Sequence, residues 1–515
     1  MTDIGRLRAE GYRLQALGRH AEAAERYEAV VAAAPDDWEI WNNLGNARRS
    51  AGDVEGALAA LSRAAALRPG EIGVRFNFAG ALAQVGRADE AAAALLSAAG
   101  HLPGDSPVLL DLARALSALV RYDEAESLYR RAPSHEASWL ERGQMLERGN
   151  RLDRLPALIA EATERGLELP YLNALALDRE GRAGEALAAA LAIPTDEVPA
   201  RRLALIGRLA DKAGDPARAF AAYAEMNALA GAADPAVRSQ AAAYRAHVAA
   251  LAEMMTPDYA ARWTPVAPGE RPAPVFLVGF PRSGTTLLDT LLMGHPALNV
   301  LEEVPLLERS AAALGDFARL PGLDEAETRR LRDLYFEALG PADGRTVVDK
   351  LPLNLLGAPL IHRLFPDAKF IFAARHPCDV VLSCFMQPFD LNPAMANFLD
   401  LADSARLYAL ALAFWERACE ILPLDVHTLR YENLVEDKGA EMRSLLGFLG
   451  LPWNDRVLDN EATAAERGPI VTPSYAQVAQ PIYKRARGRW ERYRAQMAPV
   501  LPILAFWAEK MGYST

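Results

Sequence analysis

The chain has 515 residues, 51% of them hydrophobic and 24% charged, which is enough apolar material for about two to four packed domains and too much for a disordered chain. A net charge of −11 and an isoelectric point near 5.4 weigh against a general nucleic-acid binder or a membrane-surface protein, because both present basic faces. The three cysteines, Cys378, Cys384 and Cys419, have no metal spacing; they fit a reducing compartment better than a disulfide framework or a zinc site.

The opening stretch MTDIGRLRAEGYRLQALGRH has no basic segment followed by an apolar one, so no signal peptide is expected. No apolar run of 18 residues is free of charge, so no membrane span is expected and the chain reads as cytoplasmic. Repeats come next. Pro35, Pro69 and Pro103 recur every 34 residues, and Gly11, Gly45 and Ala79 share the period. Ala23, Ala57, Ala91 and Ala125 do so too, each followed four residues later by a large side chain, Tyr27, Leu61, Leu95 and Tyr129. That pattern predicts pairs of helices packed closely at small residues and ended by proline. In WEIWNNLGNARRSAGDVEGALAALSRAAALRP, residues Trp41, Leu44, Gly45, Ala57, Leu61, Ala64 and Pro69 resemble the tetratricopeptide signature.

The period holds over residues 1–135 and blurs over 136–252, where GRAGEALAAALAIP and GDPARAFAAYAEMNALA read as second helices of degenerate repeats. A proline-rich segment, 253–273, is expected to be a linker. From residue 274 to 515 strand-like runs (VFLVGF, TVVDK, KFIFAAR, DVHTLRY) alternate with helical ones, which predicts a parallel sheet with crossover helices.

Four places in that region seek anions. After VFLVGF the turn PRSGTT opens a helix at Gly284, Thr285 and Thr286, whose leading amides and dipole attract a phosphate. The Walker lysine is missing, and Arg282 stands at the turn's front, where the dipole repels a cation unless an anion intervenes. In KFIFAARHPCDVVLSCF, Arg375 ends a strand and Ser383 lies in the next helix, so both can reach one phosphate. Lys350 ends TVVDK, and KRARGRWERYR (484–494) is a basic stretch in an acidic chain. Four such groups imply a ligand with two phosphate-like ends.

FPRSGTTLL resembles the 5′-phosphosulfate loop of sulfotransferases, and FAARHPCDVVLS resembles their 3′-phosphate element. RSGTTLLDTLLMGHPALNVLEE, DKLPLN, RYENLVED and SYAQVAQPIYKRARGRW resemble, in order, the tyrosylprotein sulfotransferase family over roughly 272–515. The tetratricopeptide resemblance implies an N-terminal all-α repeat solenoid, and the sulfotransferase resemblance implies a following α/β P-loop-like sulfotransferase domain with a parallel central sheet. It implies 3′-phosphoadenosine 5′-phosphosulfate as donor and no metal. The implied catalytic residues are Glu303 as general base, Arg282 and Lys350 as stabilisers of the leaving phosphate, and Ser474 near the leaving group. The implied donor site is Arg282, Ser283, Gly284, Thr285, Thr286, Arg375, Ser383, Tyr431 and Arg489. A concave repeat array suggests a peptide or protein acceptor, with tyrosine favoured, and leaves oligomerisation open. His295 and His376, each before a proline at a helix boundary, read as capping or packing residues. Two alternatives stand beside this reading: a repeat scaffold with an idle sulfotransferase-like domain, and a P-loop kinase, which the missing Gly-Lys-Ser/Thr disfavours.

Overall fold

The computed structural model describes residues 4–149, 151–196, 198–341, 343–466 and 487–514, and its compact units are Met1–Ala189 and Ala190–Thr515. In the first unit, helices pair because a small residue lets a large one close the gap. Helices Ile4–Ala16 and His20–Ala33 meet where Gly11 faces Tyr27; a Cβ on Gly11 would lie 2.5 Å from that ring. In the next pair, Trp38–Ser50 and Val54–Leu67, a Cβ on Gly45 would lie 2.4 Å from Leu61. Ala23, Ala57, Ala91 and Ala125 are fully buried on second helices, so the 34-residue period is a period of helix pairs. Asp37 and Asp53 cap two of these helices by accepting the amides of Ile40 and Gly56.

The second unit begins with three further helices, Pro199–Lys212, Pro216–Ala233 and Val237–Met254. The first two use the same packing device, with Gly207 against Tyr223. The sequence reading ended the degenerate repeats at residue 252, whereas the folded chain divides after Ala189 and these three helices share a unit with the sheet. Specific contacts hold them there. The Asn227 amide donates to the Phe385 carbonyl at 2.9 Å, Arg245 pairs with Asp403 at 3.1 Å, and Phe220 stacks on Phe385 at 4.9 Å. The segment read as a linker contains a short helix, Pro257–Ala261.

Five parallel strands form one sheet in the order β2-β3-β1-β4-β5: β1 Val275–Gly279, β2 Leu298–Glu302, β3 Thr346–Lys350, β4 Lys369–Ala374 and β5 Asp425–Arg430. β1 is buried throughout and β4 nearly so, which is why both read as unbroken apolar runs. On one face Leu287, Leu288, Leu291 and Leu292 of the helix Thr285–Met293 pack over Leu277, Val348 and Ile371. Alternation sends Phe276 to the other face, among Tyr335, Phe365 and Phe370. β2 is a strand that the sequence reading did not name: a short edge strand, mostly half-buried, whose apolar stretch LNVL is brief. All strands run the same way, so Gly279, Glu302, Lys350, Ala374 and Arg430 bring the chain out along one edge. Ligands of doubly wound sheets bind at that carboxyl edge.

Candidate active site

The turn after β1 is backbone held in unusual conformations. Arg282 has φ +71° and Gly284 has φ +95°. Gly284 also lies so close to Tyr431 that a Cβ would come within 2.6 Å of its ring, and a Cβ on Gly279 would meet the Ala373 carbonyl at 2.8 Å. Glycine is needed at both places, for φ at one and for strand-to-strand approach at the other. Ser283 is buried and its hydroxyl donates back to the Phe280 carbonyl. Thr285 and Thr286, also buried, begin the helix, and Gly284 offers it no side-chain cap. Leading amides of a helix have no carbonyl behind them, so they face whatever lies in the turn.

The corner after β4 meets this turn. The Arg282 Nε donates to Ser383 Oγ at 3.1 Å, and Arg375 Nη1 donates to the Arg282 carbonyl at 3.0 Å. Arg375 also lies over the Tyr431 ring at 4.6 Å, so one guanidinium ties together the ends of β1, β4 and β5. Enclosure pulls the Arg282 guanidinium down to about 10; the neighbouring cations Arg375 and Arg489 add to that, against an opposing effect of Cys384. His376 accepts the Cys378 amide, contacts the Ser514 carbonyl and stacks on Trp490, and His295 accepts the Ala297 amide and contacts the Pro452 carbonyl. Both act as fasteners of turns. Among the described residues no group of three His, Cys, Asp or Glu side chains is arranged to hold a metal.

A second cluster sits at the ends of β2 and β3, whose register pairs Glu302 with Lys350. Lys350 is fully buried, and its Nζ lies 3.1 Å from Asp289, 3.3 Å from Glu302 and 3.0 Å from Glu303. Burial pushes its pKa down, but the three carboxylates outweigh burial and hold the ammonium above its ordinary range. Glu303, 43% exposed at its side chain, has φ +52°, and its amide donates to the Lys350 carbonyl at 2.7 Å. The chain therefore turns sharply where β2 ends and presents Glu303 to solvent beside the buried ammonium.

Arg489 joins from the far end of the chain. Asp379, on the same helix as Ser383, accepts the amides of Gly488 at 2.8 Å and Trp490 at 2.9 Å. The Arg489 guanidinium pairs with Asp211 at 3.1 Å. Arg487 forms an exposed pair with Glu436 at 3.3 Å. Ser474 lies outside the described residues. The structure thus assembles Arg282, Gly284, Arg375, Ser383 and Tyr431 in one corner, and Glu303 and Lys350 in another on the neighbouring strands.

Sequence reading placed Asp379 only in the helix-opening turn and gave no role to Asp289, Glu432 or Asp211. Asp289 and Asp379 carried a signal: each is a lone carboxylate inside an apolar helical run, TTLLDTLLM and PCDVVLSCF. Glu432 accepts the His376 amide at 3.0 Å and the Tyr513 hydroxyl at 2.8 Å, bracing the turn that carries Arg375. Asp211 gave no signal, because its partners lie more than 270 residues away.

A parallel α/β sheet of this order, with an anion-seeking turn lacking the Walker lysine, is a P-loop-like sulfotransferase fold. Residues 274–455 match the sulfotransferase family model, and residues 8–72 and 82–148 match tetratricopeptide-repeat models. Protein-tyrosine sulfotransferase 1 of Mus musculus is 30% identical over 275 residues, 46% of this chain and 69% of that relative. An uncharacterized protein of Aquifex aeolicus (strain VF5) is 30% identical over 246 residues, 45% of this chain; the chain spans about a third of that relative's length, 32%. The sulfotransferase domain from the Synechococcus PCC 7002 olefin synthase is 24% identical, covering 48% of this chain and 98% of that domain, with a TM-score of 0.32. The chain belongs to the sulfotransferase family, with tetratricopeptide repeats in its N-terminal region and a catalytic region related to the protein-tyrosine sulfotransferases. Among the described residues, no helix is long and apolar enough to cross a membrane.

Proposed function

We propose that this chain transfers a sulfuryl group from 3′-phosphoadenosine 5′-phosphosulfate to a hydroxyl on a peptide or protein in the cytoplasm, with tyrosine the favoured acceptor. The observation that carries the reading is the meeting of two strand ends, where Arg282 donates to Ser383 and Arg375 donates to the Arg282 carbonyl. Enclosing a guanidinium beside other cations pulls the Arg282 pKa down, and an anion bound in the turn would offset that effect. A nucleotide phosphorylated at both ends of its ribose offers two such anions. Its 5′ end suits Ser283, Gly284, Thr285 and Thr286; its 3′ end suits Arg375, Ser383 and Arg489; Tyr431 suits the adenine.

In this reading the acceptor oxygen bonds to sulfur as the bridging S–O bond breaks in line, and adenosine 3′,5′-bisphosphate leaves. Glu303 takes the acceptor proton. Charge grows on the bridging oxygen, where Arg282 meets it. Lys350, 3.0 Å from Glu303, connects the base with the transferring group. Ser474 is assigned beside the leaving oxygen on the family resemblance. Side-chain cations supply the positive charge, and no metal takes part. The relationship to protein-tyrosine sulfotransferases supports a tyrosine acceptor, and the repeats support recruitment of a substrate or partner.

The test is incubation of the full chain and of Glu303→Ala with radiolabelled donor and a tyrosine-containing peptide. Label on tyrosine that disappears in the variant is the expected result. Label found on a sugar or lipid instead would move the acceptor class, and label on no acceptor would leave only the repeat scaffold.

A further inference from the structure

We infer that Asp211, on the helix Pro199–Lys212, is a positioning residue for the 3′-phosphate end of the donor site and acts through Arg489. The inference rests on the donor-site reading given above for Arg489. The Asp211 carboxylate, 15% exposed, accepts from the Tyr493 hydroxyl at 2.6 Å and lies 3.1 Å from both Arg489 Nη2 and Arg492 Nη2. Its own carbonyl accepts from Arg492 Nη1 at 3.2 Å. Three side chains of the turn Arg489–Tyr493 therefore converge on one aspartate.

Arg489 is held twice. Asp379 grips the amides on either side of it, and Asp379 shares a helix with Ser383, the residue that Arg282 contacts. Asp211 then fixes the side chain. An arginine that must be ordered by its ligand loses rotamer freedom on binding; one already ordered does not, and the gain appears as affinity.

A carboxylate beside a phosphate-binding guanidinium also competes with the phosphate, so the balance of charge decides the sign. Asp211 is shared by two guanidiniums, which leaves the trio with one positive charge. The guanidinium has five N–H donors, and the pair with Asp211 is made at the Nη2 end. The charge of Arg489 still depresses the pKa of Arg282, so its field reaches the phosphate turn. Positioning wins over competition. The helix that supplies Asp211 is paired to its neighbour by a glycine-against-tyrosine contact, Gly207 with Tyr223, like that of Gly11 with Tyr27.

Calorimetry on the full chain tests this with two probes, adenosine 3′,5′-bisphosphate and adenosine 5′-monophosphate. Wild type is expected to prefer the bisphosphate, Asp211→Asn to reduce that preference about tenfold, and Asp211→Glu to restore part of it. Tyr493→Phe removes another contact of Asp211 while leaving the Asp211–Arg489 pair in place, so its loss of preference should be clearly smaller than that of Asp211→Asn. A preference unchanged in Asp211→Asn, or reduced equally in Tyr493→Phe, would overturn the inference while leaving the donor site intact. Wild type binding both probes equally would instead remove the donor-site reading and this inference with it.

Discussion

Asp289 and Lys350 face each other at 3.1 Å with neither side chain exposed, between the helix that follows the turn after β1 and strand β3. Their pairing joins the turn that holds Arg282 to the carboxylates that include Glu303. The buried ammonium keeps two further carboxylate partners, Glu302 and Glu303, so losing Asp289 weakens its pairing without stranding the charge.

Asp289→Asn is therefore expected to lower stability to urea by about 1 kcal/mol at neutral pH. It should also change the pH profile. With one negative charge gone, Lys350 loses its ammonium at lower pH, so the alkaline limb of the turnover curve moves toward acid. The pair also protects the fold in alkali: a raised lysine pKa gives stability below the ordinary lysine range that disappears only as pH rises past the raised value. The variant should unfold at a lower alkaline pH than wild type. An unshifted alkaline limb would show that Asp289 merely packs.

Asp349 points away from that cluster, buried under the Tyr335 hydroxyl, which donates to it at 2.9 Å. Burial raises its carboxyl to about 7, against the opposing hydrogen bond. The folded state holds this proton more tightly than the unfolded chain, so the contribution is complete at acid pH and fades as pH rises toward 7. Asp349→Asn should remove that fading and be more stable than wild type at pH 8 by about 3 kcal/mol, with no advantage near pH 4. Urea titrations at both values decide it.

Arg282 and Glu303 are two of the five non-glycine residues with positive φ among the described residues. Such backbone costs about 1–3 kcal/mol each and persists where the surroundings impose it. Arg282→Ala is expected to lose turnover by roughly 100-fold or more. Arg282→Lys should recover little, because an ammonium cannot reproduce the planar fork that reaches Ser383. Glu303→Ala should lose turnover by about 100-fold or more while the bisphosphate still binds. Turnover close to wild type would take that residue out of the reaction.

Ser383→Ala should weaken bisphosphate binding about tenfold, corresponding to roughly 1.4 kcal/mol for one charge-assisted hydrogen bond. Adenosine 5′-monophosphate binding should stay within a factor of two or so. Equal losses for both nucleotides would mean that Ser383 supports Arg282 rather than the 3′-phosphate.

Gly284→Ala combines φ +95° with a Cβ 2.6 Å from the Tyr431 ring. A melting measurement should find about 2 kcal/mol lost, with donor binding weakened as the ring is displaced from beneath Arg375. Unaltered stability would mean that the turn relaxes freely.

Much of this was legible in the chain because it rests on local patterns. The 34-residue recurrence of small and large residues gives the helix pairs, and the apolar runs ending at Gly279 and Ala374 give buried parallel strands whose exits carry Arg282 and Arg375. Those features follow from neighbours a few residues apart, through steric fit and amide geometry. The tertiary structure alone decided which groups meet. Strand β2, a half-buried edge, has only the brief apolar stretch LNVL of its own and is held by its hydrogen bonds to β3. Lys350 became an ammonium enclosed by three carboxylates through the pairing of β2 with β3 and the packing of the helix bearing Asp289. Asp211 found Arg489 across more than 270 residues because helices 199–254 pack within the sheet's unit. Burial and charge pairing between distant segments are properties of the closed fold, and no spacing along the chain encodes them.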